Sequence, residues 1–231
     1  ERWMRHNVLP HYDPGYANVC ISIKALGRPP GDASASEMER IADLADRYGM
    51  GEIRFTYSQN VVIPHVRRDQ LIRVFEGLGD IGLNGGENGL IGDMIVCPGL
   101  DYCNLANARS LPLADRIFQH FADAGLRDEI GKIRLNISGC INACGHHHAA
   151  DIGILGVNKK GVENYQISLG GRAGEDAAVG RILGPSFDEQ RVPDAVAAIV
   201  GLYLHRRKPD ETFGDAVVRL GVDVFKRELY A

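Results

Sequence analysis

Four of the five cysteines in this 231-residue chain occur in two closely spaced pairs. Cys97 and Cys103 enclose the segment Pro-Gly-Leu-Asp-Tyr, and Cys140 and Cys144 enclose Ile-Asn-Ala. Each pair follows an apolar run and lies in a turn that contains Gly, Asn or Pro. Such turns can direct several soft thiolates inward while free amides hydrogen-bond to the sulfurs, which is typical of sites that hold iron or zinc.

The spacing of the cysteines leaves three interpretations open. An iron–sulfur cluster is favoured, because zinc sites usually use tighter Cys-x2-Cys pairs. Zinc is the second interpretation, and buried thiols without a ligand are the third. The fifth cysteine, Cys20, lies within an alternating strand pattern and is interpreted as a small core residue.

Composition excludes several classes of protein. The 26 basic and 30 acidic side chains give a net charge of −4, which argues against a nucleic-acid partner. The longest uncharged apolar stretch, 195–204, is shorter than the roughly 18 residues of a membrane-spanning helix, so no membrane partner is expected. Residues 1–10 contain no secretory signal, which predicts a cytoplasmic, reducing location with free or metal-bound thiols. The chain begins with Glu1 rather than Met, and we therefore expect it to be a piece of a longer protein.

The first part of the chain has the pattern of a small α/β unit. Residues 18–26 alternate like a strand, and Ser36 with Glu39 predicts the capping box of a helix. Two strand-like runs follow at 52–57 and 61–65, and Asp69 is a candidate cap for a second helix. The order strand, helix, strand, strand, helix is most of a ferredoxin-like half-domain, which we place at residues 1–76.

The elements that must position the cysteines lie in the second part of the chain, expected at 77–231. A glycine-rich stretch at 77–92 separates the two parts, and an apolar strand precedes each cysteine pair. The patterns predict strands at 94–97, 133–137, 151–157 and 165–169, and helices at 104–110, 113–124, 192–206 and 212–229. The predicted fold class is therefore α+β, a ferredoxin-like half-domain followed by a larger α/β domain.

Three motifs carry a resemblance to a known family. The first cysteine pair, followed by Gly139-Cys140-Ile141-Asn142-Ala143-Cys144-Gly145, resembles the siroheme and 4Fe–4S signature of the sulfite and nitrite reductases. The segment Arg54-Phe55-Thr56-Tyr57-Ser58-Gln59-Asn60 resembles the Arg-x-Thr-x-x-Gln segment that this family places against its siroheme. Leu169-Gly170-Gly171 is similar to the family's glycine pair after a strand. The motifs extend over nearly the whole chain in the family's order.

The resemblance implies a cofactor set and the residues that bind it. Its cluster ligands would be Cys97, Cys103, Cys140 and Cys144, with the Cys144 sulfur shared with the siroheme iron. Siroheme is a polycarboxylate that needs cationic and amide donors. The residues implied for it are Arg54, Thr56, Gln59, Asn60 and Asn142, together with Cys144.

The resemblance also implies a function and partners. The chain resembles the C-terminal half of an assimilatory enzyme that reduces sulfite to sulfide with six electrons. The expected partners are the N-terminal half of the same enzyme and a ferredoxin or flavoprotein electron donor. The alternatives are reduction of nitrite to ammonia, and an electron-transfer module that binds the cluster without catalysis of its own. We assign no catalytic residue here, because in this family the Arg and Lys residues that grip the anion lie mainly in the other half.

Three adjacent histidines, His146, His147 and His148, follow the last cysteine and depart from the Arg that family members carry there. Adjacent side chains cannot all converge on one ion in a helix or strand. We interpret them as solvated or backbone-bonded residues near the cluster rather than as a metal site.

Overall fold

The computed structural model describes residues 1–230 and, at Ala124, the backbone alone. The chain forms two compact units, one of Glu1–Lys24 with Pro30–Gly89, the other of Ala25–Pro29 with everything from residue 90 onward. The expected boundary after residue 76 falls inside the helix Leu71–Gly79. The first unit extends to residue 89 because Leu78 and Leu83 are buried in its core.

The first unit is an antiparallel sheet covered by helices. Its helices are α1 (Arg2–Asn7), α2 (Ala35–Tyr48) and α3 (Leu71–Gly79). Its strands are β1 (Val8–Leu9), β2 (Tyr16–Ser22), β3 (Arg54–Phe55) and β4 (Asn60–Arg67). The strand order is β1-β2-β4-β3 with every pair antiparallel. The predicted order strand, helix, strand, strand, helix is confirmed by β2, α2, β3, β4 and α3.

Helix α2 begins two residues earlier than predicted. Ser34 accepts the Glu37 backbone N–H through its hydroxyl at 3.3 Å, and the Glu37 carboxylate accepts the Ser34 backbone N–H at 2.7 Å. The predicted box of Ser36 and Glu39 is therefore wrong. Ser34 has the extended backbone that precedes a helix, whereas Ser36 already lies in the first helical turn.

Helix α3 lacks the side-chain cap that the sequence suggested. Asp69 pairs with Arg67, with 2.7 Å between Oδ2 and Nη2, and the residue before the helix, Gln70, makes no capping bond. The buried face of the helix carries Leu71, Val74 and Leu78, whereas Ile72 is 57% exposed.

The second unit is built on a mixed five-stranded sheet. Its strands are β5 (Ile95–Val96), β6 (Leu135–Ser138), β7 (Ile152–Lys159), β8 (Val162–Leu169) and β9 (Arg181–Ile182). Its helices are α4 (Leu111–His120), α5 (Ala124–Ile130), α6 (Val192–Arg206), α7 (Phe213–Leu220) and α8 (Val222–Tyr230). Strands β5, β6 and β7 are parallel, and β8 and β9 continue the sheet antiparallel.

The predicted helix at 104–110 is absent, and the segment forms turns instead. The backbone N–H groups of Asn107 and Ala108 donate to the Gly139 carbonyl rather than to the preceding turn. The predicted helix at 113–124 is two helices, because α4 ends at His120 and Asp123 caps α5 through the Leu126 N–H at 2.7 Å. Long-range contacts overrode local helix periodicity here.

The predicted helix at 212–229 is likewise divided. Gly221 has φ +79° and ends α7 before α8 begins. The helix predicted at 192–206 is confirmed as α6, whose Ile199 and Val200 are buried in the core of the second unit. Over residues 1–230, none of the helices has the length and apolar content needed to cross a bilayer.

Candidate cofactor site

The two cysteine turns leave the sheet of the second unit at the same edge. Cys97 directly follows β5, and Cys140 lies shortly after β6. The strands are parallel, with Val96 paired to Ile137, and the Cys97 backbone N–H donates to the Ile137 carbonyl at 3.1 Å. Because carboxyl ends of adjacent parallel strands meet at one edge, the two turns are neighbours.

Backbone contacts lock the two turns together. The Gly139 carbonyl accepts the N–H groups of Asn107 at 2.8 Å and Ala108 at 3.1 Å. A Cβ on Gly139 would lie 2.7 Å from the Ala108 carbonyl oxygen and 2.9 Å from the Gly99 Cα. Gly99 itself has φ +59°. Both positions therefore require glycine, one for close approach and the other for its conformation.

The Cys97 sulfur receives a hydrogen bond across this junction. Its Sγ accepts the Gly139 N–H at 3.0 Å and lies 3.5 Å from the Ser110 hydroxyl. Amide donors to sulfur stabilise a thiolate, and hydrogen bonds to sulfur tune the potential of iron–sulfur clusters. This donor set fits a cluster ligand. The sequence reasoning expected such amide donors but did not identify Gly139 or Ser110.

The four cysteine thiols of the two turns range from buried to exposed. Cys97 and Cys140 are buried, Cys103 is half-buried and Cys144 is exposed. The Cys103 N–H donates to the Gly99 carbonyl at 2.9 Å, which folds the first turn back towards Cys97. All of the cysteines are free of disulfides, Cys20 included. The exposed Cys144 thiol is the one of the four most open to a second bound group.

Across the described residues, no three His, Cys, Asp or Glu side chains are placed to hold a single metal ion. Zinc would need all its ligands about 2.0–2.3 Å from one centre. A 4Fe–4S cluster carries its thiolates on separate irons, so these thiolates lie further apart.

The three histidines after Cys144 form a turn that packs back on the sheet. His146 has φ +54°, and its carbonyl accepts the Asn136 side-chain N–H at 3.2 Å. The His147 and His148 rings lie 4.4 Å apart, measured between centroids. Burial, and secondarily the nearby His148, lowers the pKa of His147 to about 4. His147 is therefore neutral at pH 7, and its buried Nδ1 has no described partner.

The Arg54–Asn60 motif forms the bend between β3 and β4 in the first unit. The Thr56 N–H donates to the Asn60 carbonyl at 2.9 Å, and the Thr56 hydroxyl accepts the Asn60 N–H at 3.1 Å. Gln59 has φ +58° and is half-buried. Arg54 is exposed and Thr56 half-buried, so both are partly accessible.

A buried lysine, which the sequence reasoning missed, grips this bend. Lys24 is 5% exposed, and its Nζ donates to the Asn60 side-chain oxygen at 2.8 Å and to the Ser58 carbonyl. Asn60 is itself 1% exposed. Its amide oxygen is thus engaged within the unit. The available signal was the single charged residue within an apolar strand pattern, since a buried charge needs specific partners.

Arg54 is paired with a neighbouring acid. Its Nε donates to the Glu52 carboxylate at 2.5 Å, and this bond is the main cause of a lowered pKa at Glu52. Asn142 is exposed in the second cysteine turn. The residues expected at the site divide between the two units: Arg54, Thr56, Gln59 and Asn60 belong to the first, and Cys97, Cys103, Cys140, Asn142 and Cys144 to the second.

A ferredoxin-like half followed by a cysteine-bearing α/β unit defines a class of redox proteins. Residues 18–81 match the nitrite/sulfite reductase ferredoxin-like half domain, and residues 91–231 match the nitrite and sulphite reductase 4Fe–4S domain. The chain belongs to the nitrite and sulfite reductase family, whose members carry siroheme and a 4Fe–4S cluster. The predicted family and fold class are confirmed.

Characterised relatives include enzymes for both anions. The chain is 28% identical to sulfite reductase (ferredoxin) 2 of Mycolicibacterium paratuberculosis, covering 90% of this chain and 40% of that protein. It is 31% identical to the chloroplastic ferredoxin–nitrite reductase of Zea mays, covering 77% of this chain and 32% of that protein. The chain thus spans less than half the length of these relatives.

Solved structures share the fold. The Mycobacterium tuberculosis NirA protein superposes with a TM-score of 0.76 at 27% identity, over 95% of this chain and 41% of that one. Dissimilatory sulfite reductase I superposes with a TM-score of 0.73 over 93% of this chain and 69% of that one. Its 16% identity supports the fold alone.

Proposed function

We propose that this chain is the cluster-carrying half of an assimilatory sulfite reductase, which takes sulfite to sulfide with six electrons. The observation that carries the proposal is the junction of the two cysteine turns, where the Gly139 N–H donates to the Cys97 sulfur. The junction joins two distant cysteine pairs at one sheet edge, as a four-thiolate cluster requires.

The proposed roles of the residues follow their exposure. Buried Cys97 and Cys140 and half-buried Cys103 would anchor the cluster, and the exposed Cys144 would hold the cluster and the siroheme together. Siroheme, when bound, supplies the iron at which the anion is reduced. The side chains that would hold siroheme through hydrogen bonds to its carboxylates and ring are those of Arg54, Thr56, Gln59 and Asn142. Asn60 contributes by holding the bend, because its side-chain oxygen binds Lys24.

The partners are proposed on chemical grounds. A desolvated anion requires cationic partners, and we assign these to the other half of the enzyme rather than to this chain. Ferredoxin is the proposed electron donor, since the relatives named above are ferredoxin enzymes. A flavoprotein is the alternative donor. Cytoplasmic location is proposed because cluster thiolates must stay reduced.

Nitrite reduction to ammonia is the second candidate, favoured by 31% identity to the plant nitrite reductase. The test is an anaerobic assay of the full-length protein with reduced ferredoxin and both anions in competition. The proposal predicts sulfide as the main product. Ammonia as the main product would replace it with the second candidate. If the protein bound the cluster but formed neither sulfide nor ammonia, the proposal would be replaced by an electron-transfer module without catalysis of its own.

A further inference from the structure

A series of three side chains in the first unit supports Arg54. The Arg54 Nε donates to Glu52 Oε1 at 2.5 Å, and Glu52 Oε2 lies 3.5 Å from His65 Nε2. His65 Nδ1 lies 2.8 Å from His11 Nε2. At the far end, His11 Nδ1 lies 2.9 Å from the Asp13 backbone nitrogen. Glu52, His65 and His11 are called the Arg54 support below.

The hydrogen-bond partners fix where each proton lies. The Asp13 backbone N–H can only donate, and it is closer to His11 Nδ1 than the Asp13 carbonyl, at 2.9 against 3.2 Å. His11 therefore accepts at Nδ1 and carries its proton on Nε2, which donates to His65 Nδ1. The His65 proton then lies on Nε2, facing Glu52. The nitrogen that carries this proton lies 3.5 Å from Glu52 Oε2.

The support joins three separate segments of the first unit. His11 lies between β1 and β2, His65 lies on β4, and Glu52 precedes β3. His65 has φ +57°, a left-handed backbone that is uncommon for residues other than glycine and that asparagine, aspartate and histidine adopt more often than the rest. The uncommon conformation thus occurs at the residue that links the other two members.

The remaining donors of Arg54 are open. Within the part of the chain that the structure describes, its Nη1 and Nη2 have no hydrogen-bond or ion-pair partner, and the side chain is 58% exposed. The paired N–H groups of a guanidinium match a carboxylate bidentately. An exposed arginine otherwise samples many rotamers, and fixing it before binding removes that entropic cost.

We propose that Glu52, His65 and His11 are positioning residues that hold Arg54 so that its Nη1 and Nη2 bind one siroheme carboxylate. This inference rests on the proposed function, in which Arg54 is a siroheme contact. The support acts only through Arg54, and its effect disappears when Arg54 is replaced.

The test compares single and double variants. The first readout is the rate of siroheme release from the full-length holoenzyme to an excess of acceptor protein, followed by absorbance. Arg54→Ala is expected to speed release about tenfold, and Glu52→Gln about three- to tenfold. His65→Asn, which tolerates the left-handed backbone, is expected to act in the same direction. When Arg54→Ala is already present, adding Glu52→Gln or His65→Asn should change the rate of siroheme release by less than about twofold.

A second readout does not depend on siroheme. In the 231-residue chain with 15N-labelled arginine, the Arg54 Nε–H signal, identified by its loss in Arg54→Lys, should exchange slowly with water. Glu52→Gln should abolish that protection. Asp69→Asn is the matched control, because it removes the carboxylate from the exposed Arg67–Asp69 pair in the same unit and should leave both readouts unchanged.

The outcomes separate the two claims. The positioning role would be overturned if Glu52→Gln changed the rate of siroheme release equally with and without Arg54. It would also be overturned if the Arg54 Nε–H of the unaltered chain exchanged rapidly with water. A third result would divide the two claims: the Arg54 Nε–H is protected and loses protection in Glu52→Gln, but Arg54→Ala leaves siroheme release unchanged. The positioning role would then be established, and siroheme would be excluded as the ligand of Arg54. That result would count against the proposed site and not against the positioning.

Discussion

At the scale of single residues, burial and hydrogen bonding give chemically similar side chains different properties. The Cys97 sulfur is buried and receives an amide N–H, whereas the Cys144 thiol is exposed. His147 is buried and neutral, and its neighbours His146 and His148 are exposed. The sequence identified these residues by type and spacing. Their burial depends on how the turns after β5 and β6 pack on the sheet, which no local pattern encodes.

The lowered pKa of His147 predicts a specific loss of stability in acid. The pKa of His147 lies at about 4 in the folded chain against 6.5 for an ordinary histidine. Between these values the unfolded state binds more protons, so the free energy of unfolding falls as pH drops from about 6.5 to about 4, by up to about 3 kcal/mol. His147→Gln should flatten that part of the profile.

The measurement is urea unfolding of the 231-residue chain at intervals between pH 7 and pH 4. The exposed His205→Gln variant is the control and should keep the slope of the unaltered chain. An unchanged slope in His147→Gln would show that other groups carry the acid sensitivity.

At the scale of elements, helix starts depend on which serine has the extended backbone. The sequence pattern predicts Ser36 as the cap, whereas in the structure Ser34 is the serine that exchanges hydrogen bonds with Glu37. Ser34→Ala should lower the free energy of unfolding by about 1 kcal/mol, because a capping bond is lost. Ser36→Ala, inside the helix, should change it by less than about 0.5 kcal/mol. Chemical denaturation of both variants decides this, and equal losses would contradict the assignment of the cap.

The glycines make a second pair of matched variants. A methyl group on Gly139 would collide with the Ala108 carbonyl at 2.7 Å, so Gly139→Ala should part the cysteine turns and cost about 1–3 kcal/mol. Gly201 lies exposed in α6, and its Cβ would meet nothing within 4 Å. Gly201→Ala should therefore stabilise the chain by about 0.5–1 kcal/mol.

Thermal unfolding, with iron content after reconstitution, tests both glycine variants. Gly139→Ala should retain less iron than the unaltered chain, and Gly201→Ala should retain all of it. Full iron retention in Gly139→Ala would mean that the two turns do not need their close contact.

Sequence periodicity predicted the elements whose apolar face repeats regularly, such as α2, α6, β7 and β8. It failed where long-range contacts decide the backbone. The turn region at 104–110 is held by the Gly139 carbonyl, and the break between α7 and α8 occurs at Gly221, which has φ +79°. The sequence does not predict the Arg54 support, because His11, Glu52 and His65 are far apart in sequence and meet only in the folded unit.

At the scale of the whole chain, the residues proposed to bind cofactors occur in both units. The first presents the Arg54–Asn60 bend, and the second presents the four cysteines. The chain spans 40% of a mycobacterial sulfite reductase. The proposed division of roles assigns cofactor binding to this chain and the charges that bind the anion to the rest of the enzyme.

The most direct test is anaerobic reconstitution of the chain with iron and sulfide, followed by iron and acid-labile sulfide analysis. A 4Fe–4S cluster held by the two cysteine turns predicts about four of each per chain, and a marked loss in Cys97→Ser, Cys103→Ser, Cys140→Ser and Cys144→Ser. Cys20→Ala, outside the two turns, is the control and should keep the full content. Stoichiometric zinc without sulfide, or a full cluster in all four serine variants, would contradict a cluster held by these four thiols.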